Sequence, residues 1–220
     1  MRRLAWLPIA VLLLAAGQCF RWALADVWAT QVSHQLRQPG LSDEEWRLAG
    51  QMLGQALRLN PDRASSLELA GQFYQAQAYR QSQPQNVASR QDYRQEALLA
   101  FRRAVRLNPA WPYLWDRLAL AKAGLQQYDQ ELSGALDRVA RLGPWERSLQ
   151  YDAAVIGLAV AGHLSPLGRE ALYRAMEQSL TMQTKDAQQT LMAQFKQKNL
   201  CADLDAMDNK LPNLSQRCAK

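Results

Sequence analysis

Three stretches of this chain end in nearly the same way. Gln55-Ala56-Leu57-Arg58-Leu59-Asn60-Pro61 and Arg103-Ala104-Val105-Arg106-Leu107-Asn108-Pro109 share a Leu-Asn-Pro ending, and Asp137-Arg138-Val139-Ala140-Arg141-Leu142-Gly143-Pro144 follows it more loosely. Proline lacks a backbone donor and pushes the residue before it out of the α region, so each stretch reads as a helix brought to a stop. Upstream of the first two prolines the spacing is identical: Ala49-x3-Leu53-x2-Ala56-x4-Pro61 and Ala97-x3-Phe101-x2-Ala104-x4-Pro109. Residues three and four apart share a helical face, and alanines on that face let a neighbouring helix come close. Ala, Leu, Gln and Arg abound while Val, Ile and Thr are scarce, which favours helix throughout. The chain is therefore expected to be all-α and built from repeated helical units.

The residues after each proline supply the other half of the unit. Leu67-x2-Ala70-Gly71-x2-Tyr74 follows Pro61, and Trp115-x2-Leu118-Ala119 follows Pro109 at the same offset. With these motifs the sequence resembles the tetratricopeptide repeat, a 34-residue pair of antiparallel helices. Pro109 and Pro144 lie 35 residues apart, and Pro61 and Pro109 lie 48 apart, one unit plus an insertion of 14. The insertion falls between Tyr74 and Ala97, where polar residues around Pro84 suggest an exposed loop near 80–90. Lys122 departs from the pattern, standing where it has Tyr, and the resemblance covers residues 43–144 most closely. The resemblance implies a concave surface that binds a protein or peptide through the first helix of each pair. Carried over, the exposed positions are Ser65, Glu68, Gln72 and Gln75 in one unit, and Tyr113, Asp116 and Leu120 in the next.

Ahead of the repeats, residues 4–20 carry no charge and are interrupted only by Gln18, with Arg2 and Arg3 in front and Arg21 behind. Residues 1–25 read as an uncleaved N-terminal membrane anchor. The arginine pair favours a cytoplasmic N-terminus, which would place the rest of a bacterial inner-membrane protein in the periplasm. Ala23-Leu24-Ala25 could instead mark signal-peptidase cleavage before Asp26, and Cys19 lacks the small neighbour a lipidation site needs. The net charge of +6 comes from 26 basic and 20 acidic residues, and the three arginines flanking the anchor account for half of the excess. No nucleic-acid partner is expected from so balanced a remainder. Leu24, Trp28, Val32 and Leu36 recur every four residues, so residues 26–42 should continue as a linker helix against the helix of 43–59, whose start is marked by the capping box Ser42-x-x-Glu45.

Catalytic chemistry has little to stand on. The two histidines, His34 and His163, lie far apart without HExxH or cysteine ligand spacing, and neither a GxxxxGK[ST] loop nor a GxGxxG turn occurs. No catalytic residue, metal or cofactor is expected, and Asp43, Glu44 and Glu45 are explained by a helix N-terminus. Trp111 with Tyr113 could form an aromatic platform for a sugar, whereas Trp115 at repeat spacing reads as core.

After the repeats, helices are expected at 146–162, with Gly162 as a cap, at 166–182 behind Ser165, and near 185–198. Cys201 and Cys218 bracket the tail of 183–220 and could form a disulfide in an oxidising compartment or remain two thiols. The whole reads as an all-α chain: one transmembrane helix, then a repeat domain over 43–182 shaped as a helical-hairpin solenoid. In layout it also resembles VpsP-type exopolysaccharide biosynthesis proteins. That resemblance implies a scaffold whose partner is a polysaccharide polymerase or export component of the membrane. A glycan-binding module, or an assembly factor for pili, secretion or cytochrome maturation, would share the architecture.

Overall fold

The computed structural model describes residues 6–81, 86–206 and 211–219. Arg2, Arg3 and the centre of the expected loop at 82–85 lie outside these. The described residues form ten α-helices and no strand. The chain divides into two compact units, Met1–Leu107 and Asn108–Lys220.

The first unit holds α1 (Trp6–Leu36), α2 (Asp43–Leu59), α3 (Ala64–Arg80) and α4 (Val87–Leu107). α1 is one uninterrupted helix: Leu12, Leu13 and Leu14 are largely exposed, while Ala25 and Val32 near its other end are fully buried. It is long and apolar enough to cross a membrane over Pro8–Leu36. Its second half packs along α2, as the four-residue spacing from Leu24 to Leu36 predicted. α2 starts at the expected capping box, with Ser42 Oγ accepting from the Glu45 amide and Glu45 Oε2 accepting from the Ser42 amide. The repeated small face is buried in both copies: Ala49, Leu53 and Ala56 on α2, and Ala97, Phe101 and Ala104 on α4.

α3 and α4 form an antiparallel hairpin. α3 runs to Arg80 and α4 begins at Val87, so their connection falls within the expected 80–90, and the rest of the insertion lengthens the two helices. The added turns are held together by Tyr74 stacked on Tyr93 at 6.5 Å. At the hairpin's centre a Cβ on Gly71 would lie 2.3 Å from the Phe101 ring, so only glycine permits this approach.

The second unit holds α5 (Pro112–Gly124), α6 (Gln130–Leu142), α7 (Arg147–Ala159), α8 (Pro166–Met182), α9 (Lys185–Gln197) and α10 (Pro212–Cys218). α5 pairs with α6 and α7 with α8, and α6 and α8 pack together. Gly168 lets this last pair close, since a Cβ there would fall 2.6 Å from Ser133 Oγ. Gly162 is not a helix cap: α7 ends at Ala159, and Gly162 sits in the short 3-10 turn Ala161–His163. Lys122 is completely buried. Its ammonium donates to Asp129 Oδ2 at 2.8 Å and Glu131 Oε2 at 2.6 Å.

The tail is tied down three times. Cys201 and Cys218 are bonded, their Cα atoms 5.7 Å apart. Glu177 on α8 accepts at 2.8 Å from the Leu214 amide and at 3.1 Å from the Asn213 amide, and so caps α10 from outside. Asp203 accepts from Arg169 at 3.0 Å and from the Tyr173 hydroxyl at 3.2 Å. That carboxylate adds to burial in pushing the phenol up to about 12.

Two stability measurements test this packing. Gly71→Ala should lower stability by about 1–3 kcal/mol through overpacking against Phe101, read as a shift of the urea midpoint. Replacing Cys201 and Cys218 by serine should cost about 3 kcal/mol, as expected for a loop of this size. Non-reducing peptide mapping should recover the two cysteines as one linked species.

Candidate functional site

Past its apolar half, α1 carries Asp26, Thr30 and Ser33, and Arg37 follows in the turn just after its last residue, at steps of four, three and four that continue one polar stripe. α3 faces this stripe with Ser65, Glu68, Leu69 and Gln72, and the two helices enclose a groove of about 400 Å3. Its floor belongs to the hydrophobic core of the first unit, where Leu69 and Val32 are buried and Ala29 packs against them. The walls are polar. Arg63, just before α3, donates from Nη1 to Asp26 Oδ2 at 2.7 Å and from Nε to Ser65 Oγ at 2.9 Å. This bridges the two helices at one end of the groove. Gln72 donates to Glu68 Oε1 at 3.3 Å. The groove thus presents hydroxyls, an amide, a carboxylate and a guanidinium side by side, a mixture suited to the alternating donors and acceptors of a polypeptide.

Three of the residues expected on the concave surface, Ser65, Glu68 and Gln72, line this groove, and Gln75 does not. The α1 side of the groove was not anticipated. Asp26 to Arg37 form a polar stripe on the face of α1 opposite the apolar spacing of Leu24, Trp28, Val32 and Leu36.

In the second unit the expected residues separate. Trp111 is 48% exposed, with its ring 5.4 Å from that of Tyr113. The Tyr113 hydroxyl donates to Glu146 Oε2 at 2.9 Å, next to Trp145, which is 81% exposed. Two accessible indoles are therefore attached to the elements joined by a Tyr–Glu hydrogen bond. Leu120 is exposed on α5. Trp115, expected in the core, is only half-buried: its indole donates to the Pro109 carbonyl at 2.8 Å, and Arg138 lies over the ring at 5.2 Å.

Asp116 is a correction. Expected on the exposed surface, it retains only 4% exposure, and its Oδ1 is buried without a hydrogen-bond partner. The cause is the packing of α5 on α7, which turns this position inward. Burial, and then the carboxylate of Asp152 on α7, push the Asp116 carboxyl up to about 7 against the opposing pull of Arg117. Burial raises Asp152 as well.

The described residues contain no group of three or more His, Cys, Asp or Glu arranged to hold a metal ion. His34 lies 3.4 Å from the Gln38 amide, and His163 stacks on Tyr128 at 4.6 Å. No protein-family model matches this chain, and no curated protein matches it either.

The buried carboxyl makes a pH prediction with a defined sign. The folded protein holds the Asp116 proton up to about pH 7, whereas the unfolded chain releases it near about 3.9. The folded state therefore binds the extra proton between these values, and this group's contribution to stability falls as pH rises from about 4 to 7. Asp116→Asn should flatten that dependence and raise the melting temperature above pH 7, as followed by circular dichroism across a pH series.

Proposed function

We propose that this chain is a membrane-anchored adaptor whose tetratricopeptide-like hairpins hold a protein partner for an assembly in the bacterial envelope. Exopolysaccharide biosynthesis or export is the pathway that its layout favours. The observation carrying this reading is the groove between α1 and α3, where Ser65, Glu68 and Gln72 meet the polar stripe of the helix that also provides the apolar span. A groove walled by hydroxyls, an amide and a bridged ion pair binds and orients a ligand. The first helices of successive hairpins supply such surfaces in repeat proteins generally.

The arginines ahead of the span favour an N-terminus inside the cell and a repeat region in the periplasm. A disulfide-tied tail suits that oxidising compartment. A second reading, direct glycan binding, draws on the accessible indoles of Trp111 and Trp145, because a sugar face stacks on an exposed ring.

Four outcomes are expected. A reporter fused after Lys220 that is active only in the periplasm should be active, and the full chain should stay in membranes after a salt wash. A soluble product starting at Asp26 would refute the anchor. Deletion of the gene should reduce secreted polysaccharide, and Glu68→Lys should fail to restore it while its melting temperature moves by only a few degrees. Should Glu68→Lys complement fully while Trp111→Ala fails and the purified protein binds oligosaccharide, glycan binding replaces the adaptor reading. Asp116→Lys is no surface probe, since it would bury an ammonium in the second unit's interior.

A further inference from the structure

The groove has a fixed place along α1, and that place bears on the kind of partner it receives. The uncharged run ends at Phe20, Arg21 and Trp22 follow, and Asp26 is the first acidic residue after it. Because α1 continues without a break to Leu36, distances past the span follow from the helical rise of about 1.5 Å per residue. From Asp26 to Arg37 the stripe covers about 16 Å. A bilayer's polar layer is about 5–8 Å deep on each side of its hydrocarbon core. Counted from Trp22 at the membrane surface, the Asp26 end of the groove lies about 6 Å out, at headgroup level, and the Arg37 end about 22 Å out, clear of it in water. An extended chain advances about 3.3 Å per residue, so about five residues fill the groove.

We propose that the α1–α3 groove takes an extended juxtamembrane segment of an integral membrane protein, with an acidic side chain of that segment against Arg37. This rests on the adaptor reading of the same groove and on α1 crossing the membrane. Two observations carry it. At the membrane end Arg63 is already engaged by Asp26, so the groove offers no open cation to a lipid headgroup at the level where headgroups lie. At the far end Arg37 is exposed and has no ion-pair partner among the described residues, leaving a cation beyond the reach of headgroups. A partner rooted in the same bilayer presents its first residues after the membrane within this narrow zone at high effective concentration, which a freely diffusing chain does not.

The test is photocrosslinking in native membranes with the full-length chain. A benzophenone amino acid is placed at Ser33 in the groove, at Thr30 as a second groove position, and at Ser89 on α4 as the control. The expected result is an adduct at the groove positions and not at Ser89. Its partner peptide, identified by mass spectrometry, should lie within about ten residues of the end of a membrane span, as the groove's reach requires. Arg37→Glu should reduce adduct yield at least fivefold at unchanged melting temperature, and Arg37→Gln should reduce it less. A partner peptide far from any membrane span, or an adduct to lipid, overturns the juxtamembrane assignment while the groove stays a binding site. An unchanged yield in Arg37→Glu overturns the acidic contact. Absence of a groove-specific adduct at both Ser33 and Thr30 overturns the assignment and the adaptor reading together.

Discussion

Helices can lie against one another along their length only as closely as their smallest facing side chains allow, and both units depend on that closeness. In the α3–α4 hairpin it is set by Gly71, which receives the edge of the Phe101 ring, and by Ala97 and Ala104, which have no exposed surface at all. Ala49 and Ala56 do the same for α2. In the second unit Gly168 admits Ser133. These small residues bury little apolar area themselves. What they permit is full burial of the large side chains beside them, Phe101 among them, and most of the hydrophobic stabilisation comes from there.

The same dependence explains which parts of the fold could be read from sequence. Alanine spacing and helix-stopping prolines are local signals, and the helices they marked are present with their small faces buried. The capping box at Ser42 is equally local. In the insertion between Tyr74 and Ala97, Pro84 and its polar neighbours marked the connection, whereas the helical turns added on either side of it carry no such local mark. Whether such a segment forms a loop or adds helical turns depends on a contact across the hairpin, Tyr74 on Tyr93, which no local window contains. Half of the candidate site was legible for a related reason. Ser65, Glu68 and Gln72 follow from the repeat pattern, whereas α1 precedes the first recognisable repeat and its part as the opposite wall follows only from the packing of α1 against α3. Asp116 went astray because position within a repeat does not say how deeply the next helix covers it.

Interior charge in the second unit divides into two kinds. Lys122 and Glu177 are buried with their hydrogen-bonding capacity engaged, the first by Asp129 and Glu131, the second by the amides that open α10. Each joins segments that apolar contact alone would hold loosely, and a charge with good partners can be retained inside a protein at modest cost. Asp116 differs, since one of its oxygens has no partner and its nearest acidic neighbour, Asp152, adds repulsion. A carboxyl so placed keeps its proton at pH values where surface aspartates have lost theirs.

α1 is a single rigid element, and this has a mechanical consequence. With α1 crossing a membrane as the proposed anchor, a helix that runs from the bilayer into a folded unit without a hinge would behave as a lever whose fulcrum is the membrane surface. Membrane helices lean by about 20° on average. At Arg37, about 22 Å beyond Trp22, a lean of that size carries the end of the groove sideways by about 8 Å. Bilayer thickness and the neighbours that set the lean of the span would thereby also set where the groove points.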